Sequence, residues 1–256
     1  PEKPVWDEYI KDEEYQKLLA TASLLPNGYD AETAAYSSID LTSMLTYVVN
    51  VTKKSGKSTY MKTLIRASLD KGSDVCVIEI GSSEFSGIAQ DTGCRYVTDG
   101  QGIYDFAKNT LLKEAGLRAP KKTECMGLHM EDDEFFAAMS CYRRICVFIP
   151  NVPAFLNELY NRESEAYNAV GVYETLSGDK GFHYNFYFFA ELGDNDISDV
   201  MGYKFMAGFR DNATGIRFGG RYSEQRLFTY NNVPFKIQNN SLKAGIGVLP
   251  CEDASA

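Results

Sequence analysis

Histidine is scarce in this chain, with only His129 and His183, and the six cysteines Cys76, Cys94, Cys125, Cys141, Cys146 and Cys251 include no C-x-x-C pair. A zinc ribbon or finger needs clustered thiols and imidazoles, so neither is expected. Cys76 and Cys146 lie within apolar runs, where a free thiol acts as a small hydrophobe, and the cysteines read as buried and reduced. Positive charge is also short. Twenty-six Lys and Arg stand against 35 Asp and Glu, for a net charge of −9. A domain that grips nucleic acid through its overall charge needs the opposite balance, so DNA is not an expected partner. No run approaches the roughly 20 apolar residues of a membrane span. The opening Pro1-Glu-Lys-Pro-Val-Trp-Asp-Glu8 is acidic and polar, unlike a secretory leader. There is no internal repeat and no low-complexity linker.

What is present suffices for a full core, since 44% of the 256 residues are hydrophobic and 24% are charged. Patterning along the chain alternates strand and helix. An acidic helical lead-in over residues 7–19 precedes a turn at Pro26-Asn27-Gly28 and a short segment at Ser38–Leu41. Strands are expected at 47–51, 74–80, 144–149 and 182–189, with shorter ones at 214–218 and 225–229. Helices are expected at 56–70, at 101–117 with a break before Pro120, at 135–142, at 155–175 and at 197–205. Residues 119–134 read as a surface excursion. Near-continuous apolar strands such as Val75-Cys-Val-Ile78 suit a parallel sheet covered on both faces. The expected fold is therefore α/β, in three layers with a mainly parallel sheet, in one domain: a lead-in to residue 35, a core over 36–249 and a tail from 250.

One motif carries chemistry. Val51-Thr-Lys-Lys-Ser-Gly-Lys-Ser58 follows a β-type run and keeps the second half of the phosphate-loop pattern G-x-x-x-x-G-K-[ST]. In that pattern backbone N–H groups wrap the phosphates, the lysine adds positive charge and the hydroxyl holds Mg²⁺. Here Val51 occupies the first glycine's place, and a β-branched residue resists backbone conformations that glycine adopts freely. The candidate anion-binding residues are Lys53, Lys54, Ser55, Gly56, Lys57, Ser58 and Thr59, with Ser58 the metal ligand only if Mg-ATP binds. Lys53 and Lys54 add charge beside a helix N-terminus that already favours anions.

Taken together, the phosphate-loop remnant, the strand Val77-Ile-Glu-Ile-Gly81 and the tail Ile216-Arg-Phe-Gly-Gly220, Ser223-Glu-Gln-Arg-Leu-Phe228, Pro234 and Lys243-Ala-Gly-Ile-Gly-Val248 resemble, in this order, the FtsK/SpoIIIE group of P-loop motors. The closer similarity is to the C-terminal ATPase-like domain of the EssC/YukB motors of type VII secretion. It spans roughly residues 25–249 and implies a RecA-like, additional-strand ATPase core.

The resemblance also exposes a second departure. Such motors follow one apolar strand with acidic residues that order Mg²⁺ and activate water, whereas Cys146-Val-Phe-Ile149 is followed by Pro150-Asn151. Proline offers neither charge nor a donor, and asparagine cannot act as a base. Glu79, Glu191 and Asp194 are the candidate substitutes, and the ordinary reading of each is a solvated acid at a strand end. No catalytic residue is therefore assigned, and no cofactor is expected, although ATP and Mg²⁺ stay open. The resemblance implies a pseudo-ATPase module at the cytoplasmic face of a bacterial membrane, within a larger membrane-anchored chain, without membrane contact of its own. Its implied partners are secreted helical-hairpin proteins, other secretion-system proteins or neighbouring ATPase domains. A working ATPase that uses displaced acids and an FtsK-like DNA translocase module are the alternatives.

Overall fold

A computed structural model describes residues 6–30, 33–44, 46–52, 55–211, 214–224, 226–228, 230 and 238–250. Its centre is a seven-stranded sheet. Among the described residues the strands in chain order are β1 (Leu24–Tyr29), β2 (Tyr36–Asp40), β3 (Tyr47–Val51), β4 (Asp74–Ile78), β5 (Arg95–Val97), β6 (Ile145–Ile149), β7 (Phe186–Gly193), β8 (Thr214–Phe218) and β9 (Gly247–Val248). The large sheet has the order β5-β4-β6-β7-β3-β8-β9, parallel throughout except for the β8–β9 pair. β1 and β2 form a separate antiparallel hairpin.

Both faces of the sheet are buried, which is why its strands lack polar alternation. Val48, Ile78, Val147, Phe188 and Ala190 face one core, shared with Phe155, Leu156, Tyr173 and Phe205 from the helical segments over residues 152–206. Val49, Val77, Phe148 and Phe189 face the other, which is covered by Met61, Leu64 and Ile65 of the helix Lys57–Asp70 and by Phe135 and Met139. The two-residue period of each strand thus feeds two separate cores, and the result is the expected three-layer α/β architecture with a mostly parallel sheet.

Several local expectations are corrected. The lead-in is two helices, Trp6–Tyr9 and Glu13–Ala20, because the Asp12 side chain accepts from Glu14 N and starts a new helix. Pro26-Asn27-Gly28 lies inside β1, where the pairing with β2 shifts register between Pro26 and Gly28. Residues 119–127 are helix, not a surface excursion, since Leu112–Gly127 runs through Pro120. Arg118 holds this helix down by donating to Tyr184 O at 2.5 Å and Arg143 O at 2.9 Å, and Cys125 is buried beyond the proline.

Residues 155–175 divide into Val152–Leu159, a 3₁₀ turn at Glu165–Ala169 and Val170–Ser177. Residues 197–205 likewise divide into a short helix, Ile197–Val200, and the start of a 3₁₀ turn at Lys204–Met206. The expected strand at 182–189 starts four residues later, after a helical turn at Gly181–Tyr184. Of the segment 225–229, Gln225 and Thr229 lie outside the described residues, and 226–228 form no strand. Cys76, Cys125 and Cys146 are buried, whereas Cys141 is exposed and Cys94 is intermediate. Cys251 lies outside the described residues.

Candidate functional site

The C-terminal ends of the parallel strands converge on a cavity of about 300 Å³. Open α/β sheets bind ligands at this edge because helix N-termini and connecting loops meet there. The walls are Lys57 at the start of the helix that follows β3, Glu79, Ser82, Glu84 and Phe85 after β4, Pro150, Asn151 and Pro153 after β6, and Glu191, Gly193 and Asp196 at the end of β7 and just beyond it.

The phosphate-loop lysine enters this cavity already paired. Lys57 Nζ donates to Glu191 Oε1, and the two side chains are 32% and 7% exposed. The pairing follows from register: Val49 lies opposite Glu191 and Val51 opposite Gly193 on the neighbouring strand. Glu191 therefore stands on the face that the helix Lys57–Asp70 covers. Burial pushes its carboxyl above the usual glutamate range, the Lys57 ammonium pulls the other way without cancelling that effect, and Glu84 and Glu79 add to the rise. Its second oxygen, Oε2, is buried and has no hydrogen-bond partner among the described residues.

Gly56 starts the helix with φ 100°. A Cβ there would come within 3.1 Å of Gly245 N and Cα, so both conformation and close approach require glycine. Gly245 N donates to Ser55 O at 2.9 Å, tying the C-terminal segment to the loop. Ser55 is buried, Ser58 is half-buried and Thr59 is exposed, and among the described loop residues Lys57 alone lines the cavity. Lys53 and Lys54 lie outside the described residues. Val51 is a core residue at the end of β3, 5% exposed and opposite Phe218, so the position of the missing glycine belongs to the sheet.

Pro150 and Asn151 occupy the place of the expected acids. Asn151 is structural: its Oδ1 accepts from Ala154 N at 3.2 Å, capping the helix Val152–Leu159, and its Nδ2 donates to Ile80 O at 3.4 Å.

The reading of Glu79 and Glu191 as solvated loop acids is corrected. Glu79 is 1% exposed. It accepts from Ser82 Oγ at 2.5 Å, Glu84 N at 2.9 Å, Phe85 N at 3.0 Å and Tyr96 Oη at 2.6 Å. Burial alone would raise its carboxyl, but these four donors outweigh burial and hold it below the usual range. Asp194 is also occupied. Arg217, fully buried, donates to both of its oxygens at 2.7 and 2.9 Å and to Asn50 Oδ1 at 2.5 Å.

Asn50 completes this network by donating to Leu192 O at 3.1 Å, so β8, β3 and β7 are joined beneath the loop that carries Asp196. Sequence reasoning assigned no role to Asn50 or Arg217. The signal was a polar residue inside each of two otherwise buried strands, Val48-Val-Asn-Val51 and Gly215-Ile-Arg-Phe218, which demands a buried partner.

As it stands, the site pairs its own lysine with Glu191, and β6 runs into Pro150-Asn151 without a carboxylate. No protein-family model matches the chain. No curated protein matches it in sequence. Solved structures do match. The cytoplasmic domain of EssC is similar with a TM-score of 0.75 at 13% identity, covering 96% of this chain and 44% of that one. EssC (ATPases 2 and 3) from Geobacillus thermodenitrificans follows with a TM-score of 0.66 at 13% identity, covering 89% and 39%. Thermomonospora curvata EccC (ATPases 2 and 3), solved in complex with a signal sequence peptide, matches with a TM-score of 0.62 at 12% identity, covering 90% and 39%. The chain thus spans less than half the length of these relatives. Its fold is that of the EssC and EccC cytoplasmic ATPase domains.

Proposed function

We propose that this chain is a degenerate ATPase domain of a type VII secretion motor, acting in recognition of a substrate or partner and in motor regulation, not in hydrolysis. The observation that carries this reading is the Lys57–Glu191 pair. An incoming phosphate must share Lys57 with Glu191 or displace it, and in either case lies beside a carboxylate. Two like charges near 4 Å apart repel by about 1–4 kcal/mol between water and a protein surface. Pro150-Asn151 removes the acid that would offset this through Mg²⁺. Losing one charged transition-state group commonly costs ~10²–10³-fold in rate, and two positions have changed here.

The similarity to EssC and EccC domains, one of them solved with a signal sequence peptide, supports a protein partner. Secreted helical-hairpin proteins, other secretion-system proteins and neighbouring ATPase domains are the classes we favour. An acidic chain suits such partners better than DNA. Among the described residues no helix is long and apolar enough to cross a membrane. We assign the domain to the cytoplasmic face of the bacterial membrane, as part of a longer chain.

Titration calorimetry with Mg-ATP and a phosphate-release assay test this reading. The expected result is no saturable heat and no release that depends on Lys57. A second reading, hydrolysis through displaced acids, is favoured by the presence of Glu79 and Glu191 in the cavity walls. Phosphate release that disappears in Lys57→Ala would establish it and sink ours.

A further inference from the structure

Most of the exposed large hydrophobic side chains gather on one helix. Among the described residues there are seven, and four of them, Leu112, Leu117, Met126 and Leu128, belong to the helix Leu112–Gly127 or close it, at 55%, 65%, 52% and 61% exposure. The inner face of this helix is set by Arg118 and Cys125, both buried and two turns apart. On the opposite side stand Gly116, Pro120, Thr123 and Gly127, all exposed and all short. Helical spacing makes them a low crest, with Leu112 and Met126 on one shoulder and Leu117 and Leu128 on the other. Contiguous exposed apolar surface marks an interaction site, and a crest of short side chains lets a second helix approach closely.

The charges on this crest identify the partner. Lys113 and Glu124 stand on it about three turns apart. Lys113 is exposed and has no ion pair or hydrogen bond among the described residues. Glu124 meets Lys121 of its own helix at 3.1 Å, in an exposed pair that contributes little and exchanges readily. A uniformly acidic partner would oppose Glu124, and a uniformly basic one would oppose Lys113. The same helix running antiparallel satisfies both.

We propose that this face pairs two copies of the chain, helix against antiparallel helix, about a two-fold axis beside Ala119. Such an interface is isologous, so each contact is made twice. With the axis there, Lys113 faces Glu124 of the second copy, and Glu124 faces Lys113 of the second copy. Along one shoulder Leu112 meets Met126 of the second copy, and on the crest Leu117 lies against Pro120 of the second copy. One offset thus matches the charges and the apolar side chains together. None of these residues lines the cavity, so the pairing is independent of what the cavity binds.

A single helix pair lies at the low end of interface sizes, so the dimer is weak and concentration-dependent. Sedimentation velocity on the whole chain, from about 1 µM to about 500 µM, tests it. Salt of about 0.15 M damps the long-range repulsion between two chains of net charge −9, because the Debye length is then ~8 Å. The expected result is a reversible monomer–dimer equilibrium. Leu117→Glu puts a charge into the apolar contact at an exposed position and should weaken dimerisation by about tenfold or more. Lys113→Glu and Glu124→Lys each turn two attractions into two repulsions and should each weaken it by about fivefold or more. Mixed in equal amounts, these two charge variants oppose unlike charges at both ends of the helix pair and should dimerise as tightly as the unaltered chain.

A monomer throughout the concentration range, a dimer indifferent to Leu117→Glu, or a mixture of the charge variants no tighter than either alone would overturn the proposal.

Discussion

Lys57 and Glu191, 134 positions apart in sequence, form an ion pair at the end of the sheet, where the phosphate-loop lysine would meet a nucleotide. Glu191 is held there by the parallel pairing of β7 with β3, and Lys57 by the αL turn at Gly56.

Removing the lysine should cost more than removing the pair. Lys57→Ala leaves Glu191 buried without its cation. We expect a loss of about 1–3 kcal/mol in urea denaturation, below the range for a fully buried pair because Lys57 is partly exposed. Lys57→Ala combined with Glu191→Gln should recover part of that loss in a double-mutant cycle. A cycle with no coupling would remove the pair from the account of this site.

Glu79 and Glu191 should shift the pH dependence of stability in opposite directions. The carboxyl of Glu79 is depressed in the fold. Its contribution is present above the unfolded glutamate value of 4.5 and is lost as pH falls through the folded value. Glu79→Gln should then destabilise by about 1–3 kcal/mol near neutrality and progressively less toward acid. The carboxyl of Glu191 is raised, so between 4.5 and its folded value the native state binds more protons and gains stability as pH falls. Glu191→Gln should abolish that gain. Denaturation midpoints across the acid range check both signs.

Arg217 should behave as a three-strand clamp. Arg217→Met removes the partner of Asp194 and the donor to Asn50, and we expect a loss of about 2–4 kcal/mol. Hydrogen exchange at Gly193–Asp196 should accelerate, because the network joins the start of that loop to β8. Arg217→Lys should not rescue it, since one ammonium cannot reproduce the bidentate contact. Unchanged exchange in Arg217→Met would show that the loop is held by other contacts.

Restoring the missing glycine should not restore nucleotide binding. Val51 is a packed strand residue. Val51→Gly should lower stability by about 2–3 kcal/mol through lost burial and added chain entropy. Mg-ATP calorimetry on this variant should stay flat. Saturable heat would mean that Val51 was the principal obstacle.

The strands β3, β4 and β6 were legible because each is a short, mostly apolar run, as a strand buried on both faces must be. The helix after the phosphate loop was equally legible from Met61, Leu64 and Ile65 on one face. The start of β7 was not. Gly181–Tyr184 and Phe186–Phe189 are both aromatic and apolar, and periodicity cannot separate a helical turn from a buried strand over so few residues. The helix through Pro120 was missed because local propensity disfavours it. The anchors at Arg118 and Cys125 lie in contacts the local pattern does not encode.

By itself, the sequence determined the layered α/β fold, the position of the phosphate-loop remnant, and the loss of carboxylates at Pro150-Asn151. The first two depend on residue type and local spacing, and the third on the resemblance to P-loop motors, which expects acids at that strand end. Only the tertiary structure decided the fate of the acids. Whether a carboxylate at a strand end is solvated, saturated like Glu79, paired like Glu191 or clamped like Asp194 depends on which strand lies beside it and in what register. Those neighbours are distant in sequence and meet only when the sheet closes around them.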